Sequence, residues 1–294
     1  MAVLLAGGFL NALHPALDSI SHFRLHLAVV LVLSLSVFSW RGARMVGLGA
    51  LLCGVLAISA NFPIGRIFAS ATVSRDKAHV FRLLQINIRY NNPEPAVLLA
   101  MIRSTQADVV TLEEVNDHWV EELAWLDDYY PHKLVCGVRP TDGVAILSRR
   151  SFDPARPPTC IANSSFAAAS IDFEGKTATV AAIHLKWPWP FPQHDQIEAF
   201  TPEIGRFGSN ALLAGDFNAT PWSAAMGRIA NAGRLTLVPS LGPTWSPYSL
   251  PSLLRSAGLP IDQLLYKGDI AISSVRKTGA PGSDHSALIV DFTL

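Results

Sequence analysis

The chain has 294 residues, 50% of them hydrophobic and 16% charged, with a formal net charge of zero. The balance gives no basic excess, which argues against a protein that holds long nucleic acids through a positive surface. Three cysteines without metal-ligand spacing give no sign of a zinc site.

The apolar excess is uneven. From Met1 to Thr72 the only formally charged side chains are Asp18, Arg24, Arg41, Arg44 and Arg66. Met1–Leu13 is an apolar stretch too short to span a bilayer alone, and it lacks the basic start of a signal peptide. It reads as a shortened spanning helix or an interfacial segment. Leu25–Trp40 and Met45–Phe62 are uncharged apolar runs separated by Arg41-Gly42-Ala43-Arg44. A spanning helix needs about 20 apolar residues, so the two runs predict a membrane hairpin. Trp40 and Arg41 would sit at the interface. Residues 1–72 are therefore expected to be a membrane segment and residues 75–294 one folded domain. Arginines in the tight turn favour a cytoplasmic turn, which puts the domain on the extracytoplasmic side.

In chain order, strands are predicted at Phe81–Ile88, Asp108–Val115, Gly143–Ser148, Ala178–Leu185, Ala211–Phe217, Gln263–Tyr266 and Ala287–Leu294. Helices are predicted at Pro95–Thr105, Asp117–Trp125, Asp195–Phe200 and Trp222–Ala230, with Pro95 and Pro221 suited to a first turn. Direct strand-to-strand links among them indicate an α+β class rather than a doubly wound parallel sheet. Cys136 and Cys160 share no motif spacing and are expected to be two unpaired thiols.

Polar residues stand where the predicted strands end. Asn87 closes Leu84-Gln85-Ile86-Asn87, and Glu114 closes Val110-Thr111-Leu112-Glu113-Glu114. Asp216 and Asn218 lie in Gly215-Asp216-Phe217-Asn218, and Asp284-His285 follows Ser283. One such residue is usually a turn former. Several in four separate fragments suit a hard divalent cation and a phosphate. Glu113 and Glu114 are adjacent on a strand, so only one should reach the site. Asp216 and Asn218 are two apart and share a face if the strand stays extended.

In this order the fragments resemble the endonuclease/exonuclease/phosphatase superfamily, also called DNase I-like, in a membrane-anchored bacterial-type form. They are the Asn87 strand, Asp108-Val109-Val110 leading to Glu114, Gly143–Ser148, Ile183-His184-Leu185, Gly215–Asn218, Ile261-Asp262 and Ser283-Asp284-His285. The resemblance implies a four-layer α/β/β/α sandwich and phosphoester hydrolysis with Mg²⁺ or Mn²⁺. It implies Glu114, Asn87 and Asp284 as metal ligands. Asp216 would orient or deprotonate the attacking water, while Asn218 holds Asp216 or a phosphate oxygen. His285 and Asp262 would form a His–Asp pair, and His184 would be a second phosphate-binding histidine. A further carboxylate or tyrosine found in some members is not identifiable, with Tyr129, Tyr130 and Asp142 as candidates. Two departures stand out: Glu113 where Gln is more usual, and Arg89 where some DNA-repair members carry Asp.

The loop Lys186–Gln193 alternates proline with Trp187, Trp189 and Phe191. It suits base stacking, contact with lipid headgroups, or a brace packed on the domain. The expected function is a membrane-anchored, metal-dependent phosphoesterase acting on a phosphodiester, as a nuclease or a lipid phosphodiesterase. The alternatives are an inositol-phosphate phosphatase and a catalytically silent tethered binding module. The expected location is a bacterial inner membrane, with the bilayer and the phosphoester as partners and no protein partner.

Overall fold

The computed structural model describes residues 1–39, 79–161 and 165–294. β2 (Val109–Glu113), β4 (Val144–Ser148) and β8 (Ala211–Asp216) are mainly apolar and buried along their length, and β1 (Phe81–Asn87) is buried except at Arg82. Such runs fit strands covered on both faces. The other strands are β3 (His132–Cys136), β5 (Thr159–Cys160), β6 (Phe166–Phe173), β7 (Lys176–His184), β9 (Thr236–Leu237), β10 (Asp262–Lys267), β11 (Ala271–Gly279) and β12 (Ser286–Thr293). One sheet has the order β11-β12-β1-β2-β4-β3 and the other β5-β6-β7-β8-β10-β9.

Side-chain alternation divides the core in three. Leu83, Val109, Ile146 and Val290 from the first sheet meet Ala169, Val180, Leu212 and Leu264 from the second. The opposite face of the first sheet, with Leu84, Val110 and Leu112, is covered by Leu98 and Ile102 of α4 (Pro95–Thr105) and Trp119 of α5 (Asp117–Glu122). The outer face of the second sheet, with Ile183 and Leu213, is covered by Phe200 of α6 (Gln193–Gly205) and Ile229 of α7 (Ala224–Gly233). The result is the expected helix–sheet–sheet–helix layering. Sequence patterning missed β3, β6 and β11 and the two-residue β5 and β9. Pro95 opens α4 as expected, whereas α7 begins after its N-cap Ser223, leaving Pro221 in the preceding loop.

Among the described residues, three helices precede the domain: α1 (Ala2–Gly8), α2 (Pro15–Ser21) and α3 (Arg24–Ser39). Among the described residues no single helix is long and apolar enough to cross a membrane. The expected span over Leu25–Trp40 is instead the 16-residue α3, and its start is bent 62° from α2. Near this bend Arg24 donates to the Gly8 carbonyl of α1, whereas Asp18 is held by the domain. Asp18 and Arg24 are buried, and the Asp18 carboxylate accepts the Ala224 and Ala225 N–H groups at 2.7 and 2.9 Å. The expected second span, Met45–Phe62, and the boundary at residues 72–75 lie outside the described residues.

Cys136 and Cys160 form a disulfide, correcting the expectation of two free thiols. The pair was hidden because its partners lie on different sheets. The bond ties edge strand β3 of the first sheet to edge strand β5 of the second.

Candidate active site

Strand direction assembles the site. Parallel β1 and β2 end at Asn87 and Glu113, and parallel β7 and β8 end at His184 and Asp216. Antiparallel β12 and β10 start at the same edge, which brings Asp262 and His285 to these strand ends.

Asp216 is 1% exposed and lies at the centre. Gly215 before it has φ +153°, and a Cβ there would stand 1.9 Å from the Ile183 carbonyl oxygen, so β8 approaches β7 here only through glycine. Asp216 Oδ1 accepts the Asn218 N–H at 2.8 Å. Asn218 has φ 45°, so the two residues close a turn instead of sharing the face of an extended strand. They still converge. Asn218 Nδ2 donates to the Leu185 carbonyl at 2.7 Å and lies 3.4 Å from His184 Nε2. Asp216 Oδ2 accepts from Asn87 Nδ2 at 3.1 Å and lies 3.5 Å from His184 Nε2 and 3.6 Å from His285 Nε2. Burial raises the Asp216 pKa against the pull of the two histidines, to about 6.

His285 Nδ1 lies 2.9 Å from Asp262 Oδ2. Burial opposes its charge, but Asp262 and Asp216 outweigh burial and raise its pKa to about 10. Thr244 Oγ1 fixes the start of β10 by accepting the Ile261 and Asp262 N–H groups. Gln85 Nε2 then donates both to Asp262 Oδ1 at 2.9 Å and to Glu113 Oε2 at 2.8 Å. Glu113 has no exposure, and burial together with Asp262 holds its pKa well above the usual carboxylate range. Sequence reasoning marked Glu113 only as an unusual neighbour and missed Gln85. Their signal was weak: two polar residues facing inward in otherwise apolar strands.

Glu114 turns the other way from Glu113. With φ 64°, it accepts from Asn87 Nδ2 at 3.1 Å and from the Tyr90 N–H at 2.9 Å. Asn87 Oδ1 accepts the Arg89 N–H at 3.0 Å, so the amide nitrogen, not the expected oxygen, faces the carboxylates. Asp284 Oδ2 accepts from Trp245 Nε1 at 3.0 Å. No hydrogen bond joins Asp284 to Glu114 or Asn87 among the described residues.

The donor set fits a hard divalent cation. Carboxylates of Glu114 and Asp216 stand on either side of the Asn87 amide, and desolvation of Asp216 is an electrostatic cost that a cation would relieve. Asp216, Asp262 and His285 also offer ligand atoms within 4.8 Å of one another. His285 already spans those two carboxylates, so this trio suits proton placement better, and oxygen donors suit Mg²⁺ or Mn²⁺.

The mouth is aromatic. Trp187, Trp189 and Phe191 are 43%, 53% and 58% exposed, so the loop is only partly a brace. Trp187 packs edge-on against Trp245 at 5.3 Å. Of the three extra candidates, Tyr130 is buried in the core and Tyr129 lies under Arg103, whereas Asp142 pairs with Lys186 beside the site. The N-terminal helices also touch the site loops, which the sequence did not signal. Trp222 Nε1 donates to the Ser21 carbonyl at 2.8 Å, and Ser19 Oγ donates to the Trp189 carbonyl at 2.9 Å.

Solved structures share this fold. The 3′–5′ exonuclease NExo from Neisseria meningitidis aligns with TM-score 0.56 at 19% identity, covering 73% of this chain and 100% of that one. TDP2 from D. rerio, complexed with a single-strand DNA product, aligns with TM-score 0.58 at 15% identity, covering 73% and 99%. A beta toxin variant from Staphylococcus aureus with bound magnesium ions aligns with TM-score 0.54 at 16% identity, covering 72% and 99%. Among curated proteins none matches the chain in sequence. The chain belongs to the Endonuclease/Exonuclease/phosphatase family, whose pattern its sequence matches over residues 84–285.

Proposed function

We propose that the protein is a divalent-metal-dependent phosphodiesterase. The observation that carries this reading is the buried Asp216 carboxylate, which meets Asn87, His184 and His285 at one oxygen. Glu114, Asn87 and Asp284 would hold Mg²⁺ or Mn²⁺, with the Asn87 amide turned to present its oxygen. Bound there, the cation supplies charge neutralisation at the phosphate. Asp216 orients the attacking water and accepts its proton, while the Asn218 N–H fixes its other oxygen. Asp262 holds His285 in its charged form, so that His285 stabilises the phosphoryl oxygens as negative charge builds on them. His184 and Asn218 hold a phosphate oxygen from the other side.

A diester is favoured over a monoester on charge. A diester brings one negative charge into a site that already holds several carboxylates and two histidines, and a monoester brings about two. The full-length chain, assayed with Mg²⁺ or Mn²⁺ and then with EDTA, should cleave phosphodiesters only with metal. The panel is bis(p-nitrophenyl) phosphate, DNA, RNA, phospholipid vesicles and inositol phosphates. Metal-independent cleavage, or cleavage of monoesters alone, contradicts the reading.

The same reading puts the protein at a membrane, with the domain on the extracytoplasmic side. The uncharged run Met45–Phe62 supports the anchor, and the Cys136–Cys160 disulfide supports an oxidising compartment. Extraction of cell membranes with alkaline carbonate tests the anchor: the chain should stay with the pellet, and release into the supernatant contradicts it.

A further inference from the structure

A cavity of about 330 Å³ opens beside His285 and Asp284. Its walls include Trp245, Ser246, Arg255, Ser256, Lys277 and Ser286. The two cations come from distant parts of the chain, one after the Tyr248 loop and one on β11. Neither belongs to any ion pair among the described residues. Lys277 Nζ donates to the Pro243 carbonyl at 2.6 Å and to the Leu241 carbonyl at 3.4 Å, which orients the ammonium and leaves it a further donor. Arg255 lies 5.9 Å from the Tyr248 ring, whose other neighbour is Arg89 at 4.6 Å. A basic rim thus runs from Arg89 past Tyr248 to Arg255 and Lys277, although residues 75–294 carry 22 acidic against 19 basic side chains. Asp284 is the opposing charge in the cavity, and Trp245 Nε1 occupies one of its oxygens.

We propose that this cavity is an anion-binding subsite, in which Arg255 and Lys277 hold a second phosphate of the substrate next to the diester that is cleaved. The proposal rests on the phosphodiesterase reading and narrows it. Two cationic side chains and several hydroxyls match a phosphate, with the guanidinium suited to paired contacts with its oxygens. A choline-type headgroup would bring a quaternary ammonium against Arg255 and Lys277, so a purely zwitterionic lipid is disfavoured. The second phosphate belongs either to the next link of a nucleic-acid strand or to a phosphorylated inositol headgroup.

The test compares the full-length chain with its Arg255→Gln/Lys277→Gln variant. In EDTA, calorimetric titration with inorganic phosphate should show affinity falling roughly tenfold or more in the variant, as expected when charged hydrogen bonds are lost. With Mg²⁺, kcat/KM for bis(p-nitrophenyl) phosphate, which has one phosphate, should stay unchanged. KM should rise roughly tenfold for a short oligonucleotide, or for vesicles bearing a phosphorylated inositol lipid. Whichever arm responds identifies the source of the second phosphate. Unchanged phosphate affinity overturns the subsite, as does an equal loss on all substrates. Lost phosphate affinity with unchanged KM in both arms leaves an anion site that the substrate does not use, and overturns the assignment. If the wild type cleaves none of these, the phosphodiesterase reading fails, while the titration still decides the subsite.

Discussion

His285 Nδ1 lies 2.9 Å from Asp262 Oδ2, and the opposite ring nitrogen lies 3.6 Å from Asp216 Oδ2. The imidazole therefore joins two buried carboxylates. A cation between two anions holds its proton, and His285 titrates near pH 10 although burial alone would lower that value.

In the proposed mechanism this arrangement sets the pH dependence of catalysis, as follows from the role given to each group. Asp216 works ionised, so kcat/KM should rise with pH through about 6, or lower where bound metal assists ionisation. His285 works protonated, so activity should fall as pH approaches about 10. Asp262→Asn removes the leading support for the charge, and its alkaline limb should move to lower pH. An alkaline limb unmoved in this variant would show that His285 does not govern it.

The same histidine contributes to stability with a definite sign. Its pKa is raised on folding above the ordinary 6.5. Its contribution is therefore fully present below pH 6.5 and is lost as pH rises towards about 10. Glu113 shifts stability in the same direction, from a lower starting pH. Its pKa is raised from 4.5, so the folded state keeps a proton that the unfolded chain releases, and stability is lost as pH rises above that value. Glu113→Gln keeps the partnership with Gln85 in shape and removes the titration. Its Tm should exceed the wild-type Tm by a margin that grows from pH 4 to pH 7. An equal Tm at both pH values would mean that Glu113 is not the buried acid described here.

The disulfide closes a loop with a sequence separation of 24 residues between strands of opposite sheets. Removing a cross-link of this kind costs about 2–5 kcal/mol. Reduction by dithiothreitol should lower the Tm, and Cys136→Ala should reproduce the lower value without reductant. A Tm insensitive to both would contradict the bond.

Asp18 reaches the domain through two backbone donors, the Ala224 and Ala225 N–H groups at the start of α7. Ser223 caps the same helix by accepting the Met226 N–H at 3.2 Å, so the helix should survive loss of Asp18. In Asp18→Ala, hydrogen exchange at Ala224 and Ala225 should quicken roughly tenfold, as for a loss of about 1–2 kcal/mol of local protection. Unchanged exchange would mean that the N-terminal helices do not dock there.

Strand ends were the legible part of the sequence. Apolar runs closing on Asn87, Glu114, His184 and Asp216 announced both the strands and the residues they would deliver, because a strand buried on both faces leaves little room for polar groups elsewhere. β11 was illegible for the converse reason. It is largely exposed and reads Ala-Ile-Ser-Ser-Val-Arg-Lys-Thr-Gly, without alternation. Contacts between distant segments were also hidden: the Cys136–Cys160 bond, the Gln85 bridge between Glu113 and Asp262, and the Asp18 cap on α7. Each depends on which elements meet in the folded chain, and no local pattern encodes that. Asn218 shows the limit at short range. Spacing alone placed it beside Asp216, but it gets there through a left-handed turn, not an extended strand.

The central claim is that Asp216 activates water for attack on a phosphodiester, and Asp216→Asn tests it most directly, since the amide keeps the shape and loses the base. In the full-length chain with Mg²⁺, the variant should retain its Tm and lose about 100-fold or more of the wild-type kcat on bis(p-nitrophenyl) phosphate. A variant that keeps its kcat within about twofold would contradict the account, because a base worth the usual catalytic factor could not be removed so lightly.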